Sequence, residues 1–209
     1  GLACVLLPGC YIVRQACGQL HILSHRQSVE RVQAEPEERR KIDLILEVKA
    51  FGERVVGLRT TDNYTTYFDT RGEPVSYNVT ASRKDRFQPY TWTFPIIGTV
   101  PYKGFFDRKD AVQEARELEA MGYDVSFGTV SAYSTLGWFS DPIFSSMLDQ
   151  DDEELADLIL HELTHSTLYV NGQGDFNESF ASFVGRQGSL EFIERRWGTG
   201  SEIHRRALD

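Results

Sequence analysis

Cysteine is scarce and unevenly placed. The chain has 209 residues and three cysteines, Cys4, Cys10 and Cys17, all within its first tenth. They cannot staple a core that lies downstream, and no pair has the C-x-x-C spacing of a thiolate metal site. Positive charge is short as well: 22 Lys and Arg stand against 31 Asp and Glu, a net charge of −9. Phosphate binding needs a basic surface, so nucleic acid is not expected as a partner. No apolar run reaches the length of about 18 residues that a spanning helix needs. There is no internal repeat and no low-complexity stretch. What is present, 41% hydrophobic and 12% aromatic residues, fills one core, or a core with a helical appendage.

Histidine is also sparse, with five in the chain, and two of them fall in His161-Glu162-Leu163-Thr164-His165. The pattern H-E-x-x-H lies in an apolar run, Leu158-Ile159-Leu160 before it and Leu168-Tyr169-Val170 after. Residues four apart share a helix face, so both imidazoles can point at one metal ion. Glu162 lies about 100° around the helix from His161, where it can touch a water on the metal without ligating. Zinc held this way suits amide cleavage. The structural alternative is two histidines on an unrelated helix. His21 and His25 also lie four apart, but with no third ligand nearby they read as a solvated face.

Twelve residues separate His165 from Glu178 in Asn177-Glu178-Ser179-Phe180-Ala181. The intervening Asn171-Gly172-Gln173-Gly174 is turn chemistry, so the chain is expected to reverse and start a helix that brings Glu178 back past the histidines. Three protein ligands and one open position mark a catalytic zinc. Glu178 has a second reading: Asp175 followed by Glu178 is also a capping-box spacing. Ala181, one turn beyond Glu178, favours the ligand role, since a small residue lets two helices approach closely enough for zinc–oxygen contact at about 2.0–2.2 Å.

Elsewhere the periodicity predicts helices over Tyr11–Ala34, with Ile12, Ala16, Leu20 and Leu23 as the packed stripe, and from Pro36 to Val56. Residues 11–58 are expected to form a helical hairpin, and 59–209 the catalytic core. Val75, Tyr77, Val79 and Ala81 alternate with polar residues as a half-buried strand. The segments 92–98 and 100–106 read as loops or edge strands because they carry proline. Asp107 caps a helix that Gly122 stops. Tyr123, Val125 and Phe127 form a strand with a bulge at Gly128 that runs on toward Phe139. A short helix is expected at Asp141-Pro142. Asp151, Asp152, Glu153 and Glu154 suit the positive end of the metal-bearing helix. At the front, Leu7-Pro8-Gly9-Cys10 resembles a bacterial lipobox. Cys10 would then carry the lipid and become the first mature residue, and residues 1–10 would be the remnant of a signal segment. The alternative is a plain buried apolar start. No initiator methionine precedes this segment, so the chain is expected to be clipped at the front.

With these residues in view, the chain resembles a bacterial family of putative zinc aminopeptidases, lipoproteins of the cell envelope. The resembling blocks are Trp92-Thr93-Phe94-Pro95-Ile96-Ile97-Gly98, Tyr102-Lys103-Gly104-Phe105-Phe106, the stretch from Ala132 to Pro142, the H-E-x-x-H pair and Asn177-Glu178-Ser179-Phe180-Ala181. The last two are also similar to the wider gluzincin group. The resemblance implies His161, His165 and Glu178 as ligands of one Zn²⁺ and Glu162 as catalytic acid and base. It implies an α+β fold with a zincin-like core, a small mixed or antiparallel sheet beside the metal helices. Family members are longer at the C-terminus, so truncation is expected there too. Peptide is the expected substrate and a membrane surface, through the lipid, the expected partner. The expected location is the periplasm-facing envelope, with Tyr11 after the cysteine favouring the outer membrane. Tyr133 is the candidate oxyanion donor, against a packed aromatic. The segment Tyr133–Trp138 is the candidate strand for aligning a peptide, against a buried strand end. Asp141 and Asp124 are candidates to hold a substrate α-amino group. The alternatives are a non-catalytic envelope lipoprotein with a closed structural metal site, in which His204 could supply a fourth ligand, and an endopeptidase or cell-wall peptide hydrolase.

Overall fold

The computed structural model describes residues 11–94, 98–130 and 140–208. The fold is mixed α+β with helix predominant. It divides into two compact units, one of described residues 11–26 and 72–130, the other of 27–71 and 140–208. The boundary at Arg26 falls inside the segment expected as a helical hairpin and puts its two helices in different units.

In the first unit, alternation along Ser76–Arg83 (β3) sends Tyr77, Val79 and Ala81 inward. This strand is the centre of an antiparallel sheet, between Tyr102–Phe105 (β6) and Tyr123–Val130 (β7). Trp92–Phe94 (β4) and Gly98–Val100 (β5) pair separately. The proline-bearing segments thus supply an edge strand and a two-stranded ribbon, as expected of chains that cannot donate a full ladder. Helix α3 (Arg108–Ala120) packs Ala111 and Leu118 onto Tyr77, Val79, Trp92 and Phe105. Asp107 caps it by accepting from the Lys109 N–H at 2.7 Å, and Gly122, at φ 87°, supplies the left-handed stop.

Two expectations in this unit need correction. The register between β3 and β7 is unbroken from Ser76↔Val130 to Arg83↔Tyr123, so there is no bulge at Gly128, which pairs straight across with Asn78. The apparent phase slip arises because much of β7 is exposed, and an exposed position imposes no alternation. Helix α1 (Tyr11–His25) ends nine residues early, and Ile12 and Leu20 point to solvent. Its packed side holds Tyr11, whose hydroxyl donates to the Gly104 carbonyl at 2.8 Å, and Gly18, whose missing side chain admits Phe106. Those contacts rotate the helix away from the stripe that hydrophobicity suggested.

In the second unit the core comes from α2 (Pro36–Phe51) and α4 (Asp152–Thr167). Ile42, Leu44, Ile45 and Val48 of α2, with Leu155, Ala156, Ile159, Leu160 and Leu163 of α4, are all essentially inaccessible. Each large aliphatic buried this way contributes about 1.5–3 kcal/mol. Helix α2 opens with Pro36 in its first turn, and the Glu35 N–H donates to the Glu38 carboxylate at 3.0 Å. At the start of α4, Asp152 pairs with Arg40 at 2.7 Å and Lys41 at 2.8 Å. A small sheet joins Gln27–Ser28 (β1), Thr66–Phe68 (β2) and Ile143–Phe144 (β8), with β2 and β8 parallel. The short helix expected at Asp141-Pro142 therefore begins later, at Ser145–Asp149, because Ile143 and Phe144 are spent on pairing. Helix α5 (Gly174–Trp197) runs back along α4, and α6 (Glu202–Leu208) follows. Among the described residues no helix is long and apolar enough to cross a membrane.

Candidate metal centre

Helix α4 carries His161 and His165 one turn apart, and their Nε2 atoms lie 3.1 Å from each other. The chain leaves the helix at Leu168, which is extended, turns through Asn171 and Gly172, and re-enters helix at Gly174. That reversal returns Glu178 to the histidines. One carboxylate oxygen lies 3.5 Å from His161 Nε2 and the other 3.6 Å from His165 Nε2. Among the described residues these three form the one group of donors able to share a cation.

The donor set fits zinc. Ligands at about 2.0–2.1 Å from a tetrahedral ion stand about 3.3–3.4 Å from one another. The Nε2 atoms stand 3.1 Å apart, the two Glu178 oxygens lie 3.5 and 3.6 Å from one Nε2 each, and the donor atoms all fall within 4.8 Å of one another, near that edge before any ion draws them in. Two imidazole nitrogens and a carboxylate oxygen are also the donor types zinc takes. The site is graded in depth: the His165 side chain is 7% exposed, His161 21% and Glu178 53%, so the cluster opens toward Glu178. His165 Nδ1 has no hydrogen-bond partner among the described residues. His204, the one candidate for a closing fourth ligand, is engaged elsewhere: Nε2 meets Glu194 at 3.0 Å and Nδ1 accepts from the Gly200 N–H at 3.2 Å. His21 and His25 are exposed and stack on each other, with His25 Nδ1 2.8 Å from the His21 carbonyl.

Charge couples these groups. Contact with His161 and then His165 holds the Glu178 carboxyl at about 2, against the opposing effect of burial. His161 is raised in turn, first by Glu178. Glu162 behaves oppositely: burial, only partly offset by the two histidines, pushes its carboxyl up to about 7, with Asp141 and Glu178 adding to the rise. A carboxyl poised near neutrality is the form a proton-transfer group takes.

The capping-box reading of Asp175 and Glu178 is not what the structure holds. The helix begins at Gly174 with no side-chain cap, and Glu178 is turned to the histidines. Ala181 is fully buried, as the close-approach argument expects. Sequence reasoning missed two residues that matter more. Gly185 is a point of close approach: a Cβ there would overlap the Asp157 carboxylate and lie 3.0 Å from the Asp157 carbonyl and 3.2 Å from His161 Cβ. Its signal was the spacing from Ala181, four residues on the same face. Asn177, 2% exposed, is bonded to the reversal loop, a role its place beside Glu178 did not disclose.

Of the two candidate amine anchors, Asp124 is an exposed residue of β7 in the other unit, 4.0 Å from Lys84. Asp141 belongs to the unit of the metal centre and is buried. Its N–H donates to Asn63 Oδ1 at 3.0 Å, and its carbonyl accepts from the Tyr64 N–H at 2.7 Å. Asn63 also donates to Ser166 Oγ, 3.1 Å away on α4. Tyr64 takes a left-handed conformation, φ 62°, to make that turn. Tyr133, the Tyr133–Trp138 segment and Cys10 lie outside the described residues.

Comparison with known families decides the class. A family model described as "Putative aminopeptidase" matches residues 10–207. The chain belongs to that family. Membership in the aminopeptidase family supports a peptidase role in general. No curated protein and no solved structure shows significant similarity to the chain.

Proposed function

We propose that the protein is a zinc-dependent aminopeptidase of the bacterial cell envelope, anchored to a membrane by lipid on Cys10. The observation that carries the reading is the convergence of His161, His165 and Glu178, with Glu162 next in line and poised near neutrality. The two Nε2 atoms and one Glu178 oxygen would hold the ion. Zinc there supplies Lewis acidity and lowers the pKa of water to about 7.

The rest of the chemistry belongs to the chain's own groups. Glu162 accepts a proton at a carboxylate oxygen as water attacks the scissile carbonyl, then delivers it to the departing amine nitrogen. Burial favours the protonated form of this carboxyl in the metal-free chain, and a bound cation would draw it back toward the ionised form that accepts a proton. The exo reading requires an anion for the substrate's α-ammonium. Asp141 suits that need, because its charge already acts on Glu162 and its backbone is fixed by Asn63 and Tyr64. The engagement of His204 with Glu194 and Gly200 counts against a closed structural site.

The test is metal analysis of the purified protein, followed by a panel of peptides with free and acetylated N-termini. One zinc per chain and cleavage confined to free N-termini is the expected result. Cleavage of blocked peptides at equal rates would replace the exo reading with an endopeptidase.

A further inference from the structure

Helix α1 has two apolar sides, and its own unit covers one of them. Tyr11, Gly18 and Ile22 share the covered side: the Tyr11 hydroxyl donates to the Gly104 carbonyl at 2.8 Å, Gly18 admits Phe106, and Ile22 is 4% exposed. Arg14, at the edge of that side, is paired with Asp110 of α3. Roughly opposite, Ile12, Ala16 and Leu20 follow one another at intervals of four residues and form a single stripe. Ile12 is 59% exposed, Leu20 is 61% exposed, and Ala16 between them is exposed too. Half-buried Val13 and Leu23 widen the stripe to about 100° of the helix, with no polar residue among the five. Apolar residues gathered on one helix face in this way are a patch, not scattered exposure. The helix also lacks acid: Tyr11–His25 contains Arg14, His21 and His25 and no Asp or Glu, in a chain that has 31.

These features select the occupant. The stripe begins two residues after Cys10, the residue read above as lipid-bearing. Acyl chains on Cys10 would enter a bilayer and hold the first turn of α1 at its surface. A helix of 15 residues reaches about 22 Å along that surface. Without a carboxylate, α1 meets no repulsion from lipid phosphates, unlike most of a chain of net charge −9. We propose that the Ile12–Ala16–Leu20 face of α1 lies in the interface of a phospholipid bilayer, its aliphatic side chains below the headgroups. The proposal rests on the lipid-anchor reading of Cys10 and adds a second point of attachment to it. One acyl chain alone holds a protein only reversibly, and lasting attachment takes a second signal. A helix lying in the interface also fixes orientation. The side of α1 that meets Gly104, Phe106 and Asp110 then faces away from the lipid, and the unit built on that side is held one way up. Ile12 and Leu20, which hydrophobic periodicity marks as packed, are then buried in lipid rather than in protein.

The test uses the full chain with Cys10→Ser, which cannot be lipidated, and vesicles of phosphatidylethanolamine and phosphatidylglycerol in equal parts. Sedimentation is expected to show weak binding that falls about tenfold in Ile12→Gln/Leu20→Gln. Met121→Gln, which removes a residue 58% exposed elsewhere in the same unit, should bind as its parent does. Because Ile12 and Leu20 are exposed, the double variant should keep its parent's Tm. Brominated phospholipid in the vesicles should quench an indole placed by Leu20→Trp and spare one placed by Met121→Trp. Binding by the double variant within about twofold of its parent would overturn the proposal, and so would a parent that binds no vesicles. A parent that instead dimerises in solution, with the double variant monomeric, would give the face to a second copy of the chain and overturn it equally. The anchor is decided separately, by the mass of the N-terminal peptide from the membrane-extracted wild type. Absence of acyl chains there ends the anchor reading and leaves the vesicle result to stand by itself.

Discussion

Gly185 of α5 lies directly against the Asp157 carbonyl of α4, one turn below His161. A side chain at this contact would push the two helices apart and draw Glu178 away from the histidines. A Gly185→Ala change gains helix propensity worth about 1 kcal/mol but forces a Cβ to 3.0 Å from a backbone oxygen that cannot rotate away. The expected result is a net loss of about 1–2 kcal/mol with weaker zinc binding. Thermal denaturation and zinc titration check it; a variant as stable as wild type with unchanged zinc affinity would show that the approach is not limiting.

Replacing Glu162 with Gln separates its two roles. With zinc bound, the variant should retain the ion and lose peptide cleavage by a factor of about 10³ or more. In the metal-free protein the sign reverses. The Glu162 carboxyl is raised from an ordinary 4.5 to about 7, so ionising it costs folding energy. That cost is absent below pH 4.5, grows as pH rises, and is complete above about 7. Glu162→Gln should therefore stabilise the metal-free chain at pH 8 by about 1–3 kcal/mol and leave it unchanged near pH 4. Equal Tm values for the two metal-free proteins at pH 8 would contradict the buried-carboxylate account.

The metal helix and its partner were legible because two local signals coincide there: an apolar period near 3.6 residues and donors one turn apart, with turn residues between. The strand Ser76–Arg83 and the Asp107 cap were legible for the same reason, since each is set by neighbours in sequence. What was hidden depends on distant partners. Ile12 and Leu20 look like core residues until Gly18 and Tyr11 are seen to dock on Phe106 and Gly104. Ile143 and Phe144 look like the approach to a helix until Tyr67 and Phe68 pair with them. The division into two units has no local mark, because it interleaves segments some fifty residues apart. In the candidate metal centre the three donors could be read from spacing, while Asn177 and Gly185 act through the loop and the helix they touch and could not.

Acid should weaken the start of α4 as the Asp152 ion pairs are lost. Burial alone would raise the Asp152 carboxyl, but hydrogen bonds from Arg40 and Lys41 outweigh it and hold the group at about 2, below the ordinary 3.8. A depressed carboxyl contributes stability above its unfolded value and loses it as pH falls through the folded one. Asp152→Asn is thus expected to cost about 1–2 kcal/mol at pH 7, allowing for the partly exposed Arg40, and progressively less between pH 4 and 2. Urea denaturation across that range measures it; a penalty independent of pH would assign the loss to packing instead.

Lipidation of Cys10 makes a separate demand on Cys17. Cys17 is disulfide-bonded, and the chain's other cysteines, Cys4 and Cys10, lie outside the described residues. A lipid on Cys10 would consume that thiol, and cleavage before Cys10 would remove Cys4. Together the two steps remove both disulfide partners that this sequence offers Cys17, so a Cys17 disulfide within residues 1–209 and the mature lipoprotein are mutually exclusive. In the membrane-extracted protein, residue 17 should therefore be alkylatable when the protein is denatured without reductant, and the N-terminal peptide mass should include acyl chains. The unprocessed chain should carry the disulfide and one free cysteine. An extracted protein in which Cys17 is joined to Cys10 would remove the lipid anchor and leave the peptidase reading to stand on the metal centre alone.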